Sequence, residues 1–348
     1  MFGFKRRLLI AVAAILSLAL LDLACVPTKV EEVEEVEKVE RLEIVLASYL
    51  PPAYTFAFNS IDAFVDEIYE ESEGKITFDI HHSSTLLGAK DSIPGLLEGV
   101  ADVVTLPTIY VQASYPLLTV VSLPLIWDDT DHFVRALKFG SPLYNMLNEE
   151  LARFNLYGIF GPADTSEMFW SRIPIRTPAD LEGLNVRCSG ELAGKETTAY
   201  GGSPVSMPSG EMYLALERGV LDVAFASVST ARSRAIYELV EYATYYPFHY
   251  YGGFDLYWRL DWLEGLPKPT RDIILEATKA YQAAMPVEMD KFNEEAMAVH
   301  REGGVEFLEL TPAEVEVFKE LAIPIWDWFR KRLGVAAEEA IGYIEAAR

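Results

Sequence analysis

The chain has 348 residues, with 53 acidic against 29 basic side chains and a formal net charge of −24. That much negative charge repels phosphate backbones and anionic headgroups, which excludes nucleic acid as a natural partner. Hydrophobic residues make up 51% and charged residues 24%, which excludes wholesale disorder and a multi-span membrane protein, and at roughly 150 residues per domain the length predicts about two domains. An anionic small ligand stays open, because a buried Arg acts locally while the solvated field is screened within about 8 Å.

Residues 1–25 place Lys5, Arg6 and Arg7 before an apolar run over 8–21 and end in small residues at Ala24-Cys25. This is the pattern of a secretory signal, and the run falls short of the roughly 20 residues that span a bilayer. Export to the periplasm or cell surface is the expected fate. A membrane tether would come either from lipidation at Cys25 or from an uncleaved signal anchor. Asp22 stands where bacterial lipoprotein signals carry an aliphatic residue. Residues 26–41 are dominated by Glu, with Val30, Val33, Val36 and Val39 at a three-residue spacing that drifts off any helical face, so they read as a solvated acidic tether. The alternative is a first helix of the folded domain.

The folded part opens with a strand at 41–49 and an amphipathic helix at 56–72, where Phe56, Ile61, Phe64, Val65, Ile68 and Tyr69 recur at helical spacing. An alternating strand at 75–82, a helix at 91–99 and a continuous apolar strand at 101–107 follow. Strand, helix, strand, helix, strand predicts an open parallel α/β sheet, whose ligands collect at the carboxyl ends of the strands. The pattern then restarts: strand 157–160, helical turn 178–183, strand 185–188, helix 191–201, strand 204–207, helix 210–219 and buried strand 222–226. LLEGVADVV at 96–104 and ALERGVLDVAF at 215–225 each carry a helix end, a Gly cap and a buried strand with one Asp. From 268 onward the chain reads as mostly helical, punctuated by Pro267, Pro286 and Pro324.

TPADLEGLNVR at 177–187, GSPVSMP at 202–208 and EMYLALERGVLD at 211–222 resemble the extracytoplasmic solute-binding proteins of TRAP transporters (the DctP-type family). LLG at 86–88, LEGVAD at 97–102, LPLI at 123–126 and WLEGLP at 262–267 extend the resemblance over about residues 42–348. It implies a two-lobed periplasmic-binding-protein-like α/β fold with crossing hinge strands and long C-terminal helices. Lobe I would hold 42–163 plus about 250–290, and lobe II 164–249 plus about 291–348. The implied function is reception of a carboxylate-bearing organic acid between the lobes and its delivery to a membrane permease, without enzymatic activity. An exported α/β hydrolase and a ligand-sensing domain are the alternatives. The first would need a nucleophile and base in the cleft, the second a signalling segment.

Arg187 falls on the family's carboxylate-binding arginine, where a guanidinium fork gives two parallel charge-assisted hydrogen bonds. Three positions depart from the family pattern. Ala226 replaces the usual Asn, with Ser227 and Ser229 as the nearest hydroxyls; Glu167 replaces an Arg; Ser209 replaces an aromatic. A carboxylate in place of a cation points to a ligand hydroxyl or amine rather than a second carboxylate. The candidate ligand-binding set is Arg187, Glu167, Ser209, Phe225, Ser227, Tyr49 and Trp170.

No cofactor or metal is expected. His81 and His82 are adjacent in a strand and face opposite ways, and the chain has no HExxH, GxGxxG, Walker A or GxSxG pattern. Its two cysteines, Cys25 and Cys188, match no CxxC or zinc spacing. Cys188, beside Arg187, is expected to pack in the core rather than serve as an activated thiol. The aromatic stretch at 242–258 either walls a cleft or cores the crossover between lobes.

Overall fold

Two parallel strand–helix repeats, each closed by an inserted antiparallel strand, build the computed structural model of the chain. It describes residues 38–161, 167–245 and 254–348. The signal segment, Cys25 and most of the acidic tether lie outside the described residues, as does 246–253 of the aromatic stretch. The first repeat runs β1 (Leu42–Ser48), α1 (Thr55–Glu71), β2 (Ile76–His81), α2 (Ser92–Glu98) and β3 (Val103–Pro107). β1 pairs in parallel with both β2 and β3. The second runs β6 (Asn185–Cys188), α5 (Glu191–Ala199), β7 (Ser203–Ser206), α6 (Met212–Glu217) and β8 (Val223–Ser227), and here β6 is the strand with two parallel partners.

Between the repeats lie α3 (Thr130–Ala136), α4 (Pro142–Ala152), β4 (Leu156–Ile159) and β5 (Glu167–Ser171). After the second come α7 (Val228–Ser233), β9 (Tyr242–Tyr245), β10 (Phe254–Arg259), α8 (Leu260–Gly265), α9 (Lys268–Glu276), α10 (Thr278–Glu302), β11 (Glu306–Glu309), α11 (Pro312–Leu333) and α12 (Val335–Ala346). The sheet orders are β2-β1-β3-β10-β4 and β11-β9-β5-β8-β6-β7. β10 reaches the first sheet from the second and runs antiparallel to β3. β5 reaches the second from the first and runs antiparallel to β8. This is the two-lobed α/β architecture with strands exchanged between the lobes. One unforeseen strand, β11, interrupts the helical C-terminal region.

The internal repeat has a physical basis. Gly99 and Gly219 end their helices at φ +79° and +69°, a left-handed conformation that costs glycine nothing. Three residues later Asp102 accepts from Val45 N–H (2.9 Å), and Asp222 accepts from Asn185 N–H (2.8 Å). Each Asp thus satisfies a backbone N–H of the neighbouring strand, in the middle of β1 and at the first residue of β6, where its own strand begins beside it. Both third strands then point their carboxyl ends to the same side as their partners.

The amphipathic face of α1 buries Phe56, Ile61, Phe64 and Ile68. The long helix α10 packs on α1 of the first lobe and α7 of the second, with Tyr281, Met285, Met289 and Phe292 along its buried face. α11 likewise touches both lobes, through α5 and the 3₁₀ segment Pro116–Ser122. Chain position grouped α12 with lobe II, but it packs on α3 and α4, where His132 Nε2 meets Ile344 O at 2.8 Å. A stripe of Ala337, Ala340, Ile341 and Ile344 shows that a face is buried and not which lobe buries it.

Asp255, buried at the start of β10, ties the hinge region. It accepts from Thr108 N–H (2.9 Å), Gly161 N–H (3.0 Å) and the Thr108 hydroxyl. Burial nonetheless pushes its carboxyl up to about 7. The folded protein therefore holds a proton that the unfolded chain has released, so the contribution to stability is full below about pH 4 and is lost as pH rises through about 7. His300, in the core beside Trp170, is held down to about 4 by burial, so its contribution is present above about pH 6.5 and lost as pH falls. The two slopes oppose each other between about pH 4 and 6.5. In urea titrations, the unfolding free energy of Asp255→Asn relative to wild type should climb by about 1.4 kcal/mol per pH unit between roughly pH 4 and 7. A pH-independent difference would contradict this placement of the proton.

Candidate functional site

Strand ends converge between the two sheets, as the open-sheet rule requires. Tyr49 follows β1, Tyr110 follows β3, Ser189 follows β6, Ser209 follows β7 and Ser227 ends β8, while Glu167 and Phe254 begin the inserted antiparallel strands. With Pro107, Ile109, Arg187 and Thr230 these residues line a cavity of about 30 Å³.

Arg187 is its charged centre and is only 2% exposed. Alternation along β6 sends Val186 into the core beneath the second sheet and Arg187 to the cavity side. Nε donates to Met207 O (3.1 Å), Nη1 to Phe225 O (2.9 Å) and Nη2 to the Tyr110 hydroxyl (3.3 Å). Glu167, 4% exposed, places Oε1 at 3.9 Å from Nη1. At that distance the attraction is electrostatic, beyond hydrogen-bond reach. The pair keeps the buried charges close to balance, as burial of ions demands.

Tyr110 joins the lobes, since its hydroxyl also accepts from Ser209 N–H at 3.0 Å. A second bond across the cleft runs from Tyr54 to Thr230 Oγ1 (3.2 Å). The Tyr49 ring lies 5.8 Å from that of Tyr110. Burial first, then the neighbouring Tyr110 and Tyr54 hydroxyls, push the Tyr49 phenol well above its ordinary range. Ser227 Oγ bonds Thr230 Oγ1 (2.9 Å), caps α7 through Thr230 N–H and lies 3.0 Å from Ser229 Oγ.

Of the seven candidates read from the sequence, Arg187, Glu167, Ser209, Ser227 and Tyr49 meet in the cavity. Phe225 takes part through its carbonyl, while its ring stacks on Phe169 at 4.6 Å in the core. Trp170 does not join them. Its Nε1–H donates to Ala226 O, and its ring packs on His300 and Phe307 behind the sheet. Glu167 and Trp170 are an odd number of residues apart in one strand, so they face opposite ways. Cys188 is buried, and burial pushes its thiol up. Among the described aromatic residues of 242–258, Tyr257 and Trp258 are core, and Phe254 lines the cavity. Tyr110, Ser189 and Thr230 were missed, although the carboxyl end of the strand at 101–107 pointed toward Tyr110. Among the described residues, no group of three or more His, Cys, Asp and Glu is placed to hold a metal ion, and no helix is long and apolar enough to cross a membrane.

Residues 47–332 match the sequence model of the bacterial extracellular solute-binding proteins, family 7 (DctP). The chain belongs to this family. A solute-binding protein of Chromohalobacter salexigens is 28% identical over 195 residues, 55% of this chain and 57% of the relative. The chain thus spans little more than half the length of that relative. The C4-dicarboxylate-binding periplasmic protein DctP of Rhodobacter capsulatus is 26% identical over 298 residues, 81% of this chain and 84% of the relative. Among solved structures, a TRAP periplasmic solute-binding protein of Chromohalobacter salexigens with bound D-glucuronate superimposes with a TM-score of 0.79 at 22% identity, over 88% of this chain and 100% of that one. The likeness to the solved structure establishes the fold of this family 7 chain.

Tyr110→Phe removes the acceptor of two buried donors on the opposite lobe. It should lower the unfolding free energy of the protein with its lobes closed by about 1–3 kcal/mol, measured by urea denaturation. A change below about 0.5 kcal/mol would show that these bonds do not hold the lobes together.

Proposed function

We propose that this family 7 protein is the extracytoplasmic receptor of a TRAP-type secondary transporter, binding an organic acid between its lobes and delivering it to a membrane permease. Export through the 1–25 signal segment is part of this proposal. So is membrane attachment, through either Cys25 or an uncleaved anchor. The observation that carries it is Arg187, a buried guanidinium fixed by Met207 O, Phe225 O and the Tyr110 hydroxyl on the wall of an inter-lobe cavity. Such a fork, already desolvated and oriented, favours a carboxylate with little further ordering cost. Glu167 beside it disfavours a second carboxylate and favours a ligand hydroxyl or amine. The cavity lining adds the hydroxyls of Ser189, Ser209, Ser227 and Thr230, groups that hydrogen-bond the neutral oxygens of an organic acid.

A cavity of about 30 Å³ falls well short of the roughly 300 Å³ or more of ligand pockets. Admission of an acid therefore requires the lobes to part, with loss of the Tyr110 and Tyr54 bonds across the cleft. Solution scattering should show a larger radius of gyration without a ligand than at saturation, and equal radii would remove the closure claim.

The experiment that tests the reading is a thermal-shift screen of organic acids, in which an acid at 100 times its Kd stabilises by about 2.7 kcal/mol. Calorimetric titration of wild type and Arg187→Lys with the best acid follows, after circular dichroism shows both folded. Removing the fork should weaken binding roughly 30-fold or more, because losing one partner of a buried hydrogen-bonded charge pair costs about 2–5 kcal/mol. Affinities within about threefold, some 0.65 kcal/mol, would show that Arg187 anchors no carboxylate. Trp170→Phe, behind the sheet, should bind within that same threefold.

A further inference from the structure

A residue without a side chain faces a backbone carbonyl across the gap between the lobes. Gly190 immediately precedes α5 in the second lobe, and a Cβ placed on it would lie 2.4 Å from Ile109 O, 3.3 Å from Ile109 Cγ1 and 3.4 Å from Ile109 C of the first lobe. The first of these distances is far inside van der Waals contact. The backbone of Gly190 is extended, at φ −173° and ψ −167°, a conformation open to any residue. Glycine is therefore needed there for space and not for backbone freedom.

The opposing carbonyl is held in place. Ile109 is the middle residue of the 3₁₀ turn Thr108–Tyr110, where Val111 N–H closes on Thr108 O (3.0 Å) and Asp255 takes both the N–H (2.9 Å) and the hydroxyl of Thr108. Moving Ile109 O away from an added methyl would disturb these bonds. Its side chain, 4% exposed, belongs to the apolar cluster of Val186, Ala193 and Phe225 beneath the second sheet. Every other buried member of that cluster among the described residues comes from 169 onward, so Ile109 is a knob that the first lobe lends to the second. Parting of the lobes withdraws it.

The contact also stands between two spaces. Ile109, Tyr110 and Ser189 line both the cavity beside Arg187 and a wider groove of about 740 Å³ along α2, and Gly190 lines the groove. With Ile109 seated, the cavity is divided from the groove at this point. An added Cβ at 190 would hold the two walls apart.

We propose that Ile109 and Gly190 form a knob-and-hole seal, in which Gly190 is a positioning residue: the missing Cβ lets the lobes close fully over a bound acid, and the seal slows the departure of that acid into the groove. This rests on the reading of the protein as a receptor that closes on an organic acid.

The test combines calorimetric titration, dissociation rates and solution scattering, with D-glucuronate, pyroglutamate and succinate as probes and the one that binds wild type most tightly carried forward. The variants are Gly190→Ala, Gly190→Ser, Ile109→Ala, Gly194→Ala and Arg187→Lys, each first shown to be folded by circular dichroism. Gly190→Ala and Gly190→Ser should each weaken the probe about 5- to 150-fold, the range that an extra carbon in a packed contact costs. The loss should fall on the dissociation rate, and the saturated variants should keep a larger radius of gyration than saturated wild type. A glycine required only for folding would leave that radius unchanged. Serine is favoured over alanine at the start of a helix, so a loss confined to Gly190→Ala would report a weakened α5 and overturn the proposal. Ile109→Ala, which empties the hole, should weaken the probe by more than about threefold. Gly194→Ala, whose Cβ would lie at an ordinary 3.6 Å from Cys188 Sγ, should bind within that threefold. If the Gly190 variants do not fold, Ile109→Ala decides. Binding within threefold by Gly190→Ser or Ile109→Ala, a comparable loss in Gly194→Ala, or a saturated Gly190 variant as compact as wild type would each overturn the proposal. If wild type compacts on binding and Arg187→Lys loses the probe while Gly190→Ser binds normally, only the present inference fails. If no probe binds wild type, or binding leaves its radius unchanged, the closing-receptor reading fails and this one with it.

Discussion

A guanidinium that is only 2% exposed constrains everything around it. Taking a cation out of water is costly unless each neighbouring surface returns hydrogen bonds or opposite charge. Around Arg187, among the described residues, that return comes from four separate chain segments: the carbonyls of Met207 and Phe225, the hydroxyl of Tyr110 and the carboxylate of Glu167. Three of these belong to the second sheet or the loop beside it, and Tyr110 belongs to the first lobe. The bond to Tyr110 forms only when the lobes approach. An incoming carboxylate meets a group whose orientation is already fixed, so less ordering remains to be done on binding.

The placement of those segments follows from simple local chemistry. Gly99 and Gly219 let two helices stop sharply, and Asp102 and Asp222 clasp the neighbouring strand. Two equivalent parallel units result, with their strand ends gathered on one side. The inserted strands β5 and β10 run the other way, so their first residues, Glu167 and Phe254, arrive at the same place. Asp255, next to Phe254, then locks the end of β3 and the exit of β4 to β10 through buried hydrogen bonds. Site and inter-lobe crossover are built from neighbouring residues of one strand, so the proposed parting of the lobes acts directly on the cavity.

Much of this was legible in the sequence because it depends on period. Strands and helices of the two α/β units follow from alternation and helical spacing, and the repeat at 96–104 and 215–225 marked the two equivalent turns. Arg187, Glu167, Ser209 and Ser227 could be named from spaced motifs and from where those motifs were broken. Trp170 went wrong because strand parity was not applied to it: a residue three from Glu167 faces the other side. Tyr110 was missed because it acts across the gap between lobes, a distance that no local pattern encodes. The packing of α12 on α3 and α4 likewise joins segments far apart in sequence, and β11 is too short to stand out among helices.

The most direct measurement of the central claim is a crystal structure of the protein grown with the tightest acid from an organic-acid screen. The account predicts the acid in the cavity between the sheets, with both carboxylate oxygens within about 3.2 Å of Arg187 nitrogens and a neutral ligand group facing Glu167. An acid bound elsewhere, for example in the wider groove bordered by Ile93, Leu97 and Tyr115, with Arg187 making only its contacts to Met207, Phe225 and Tyr110, would contradict it.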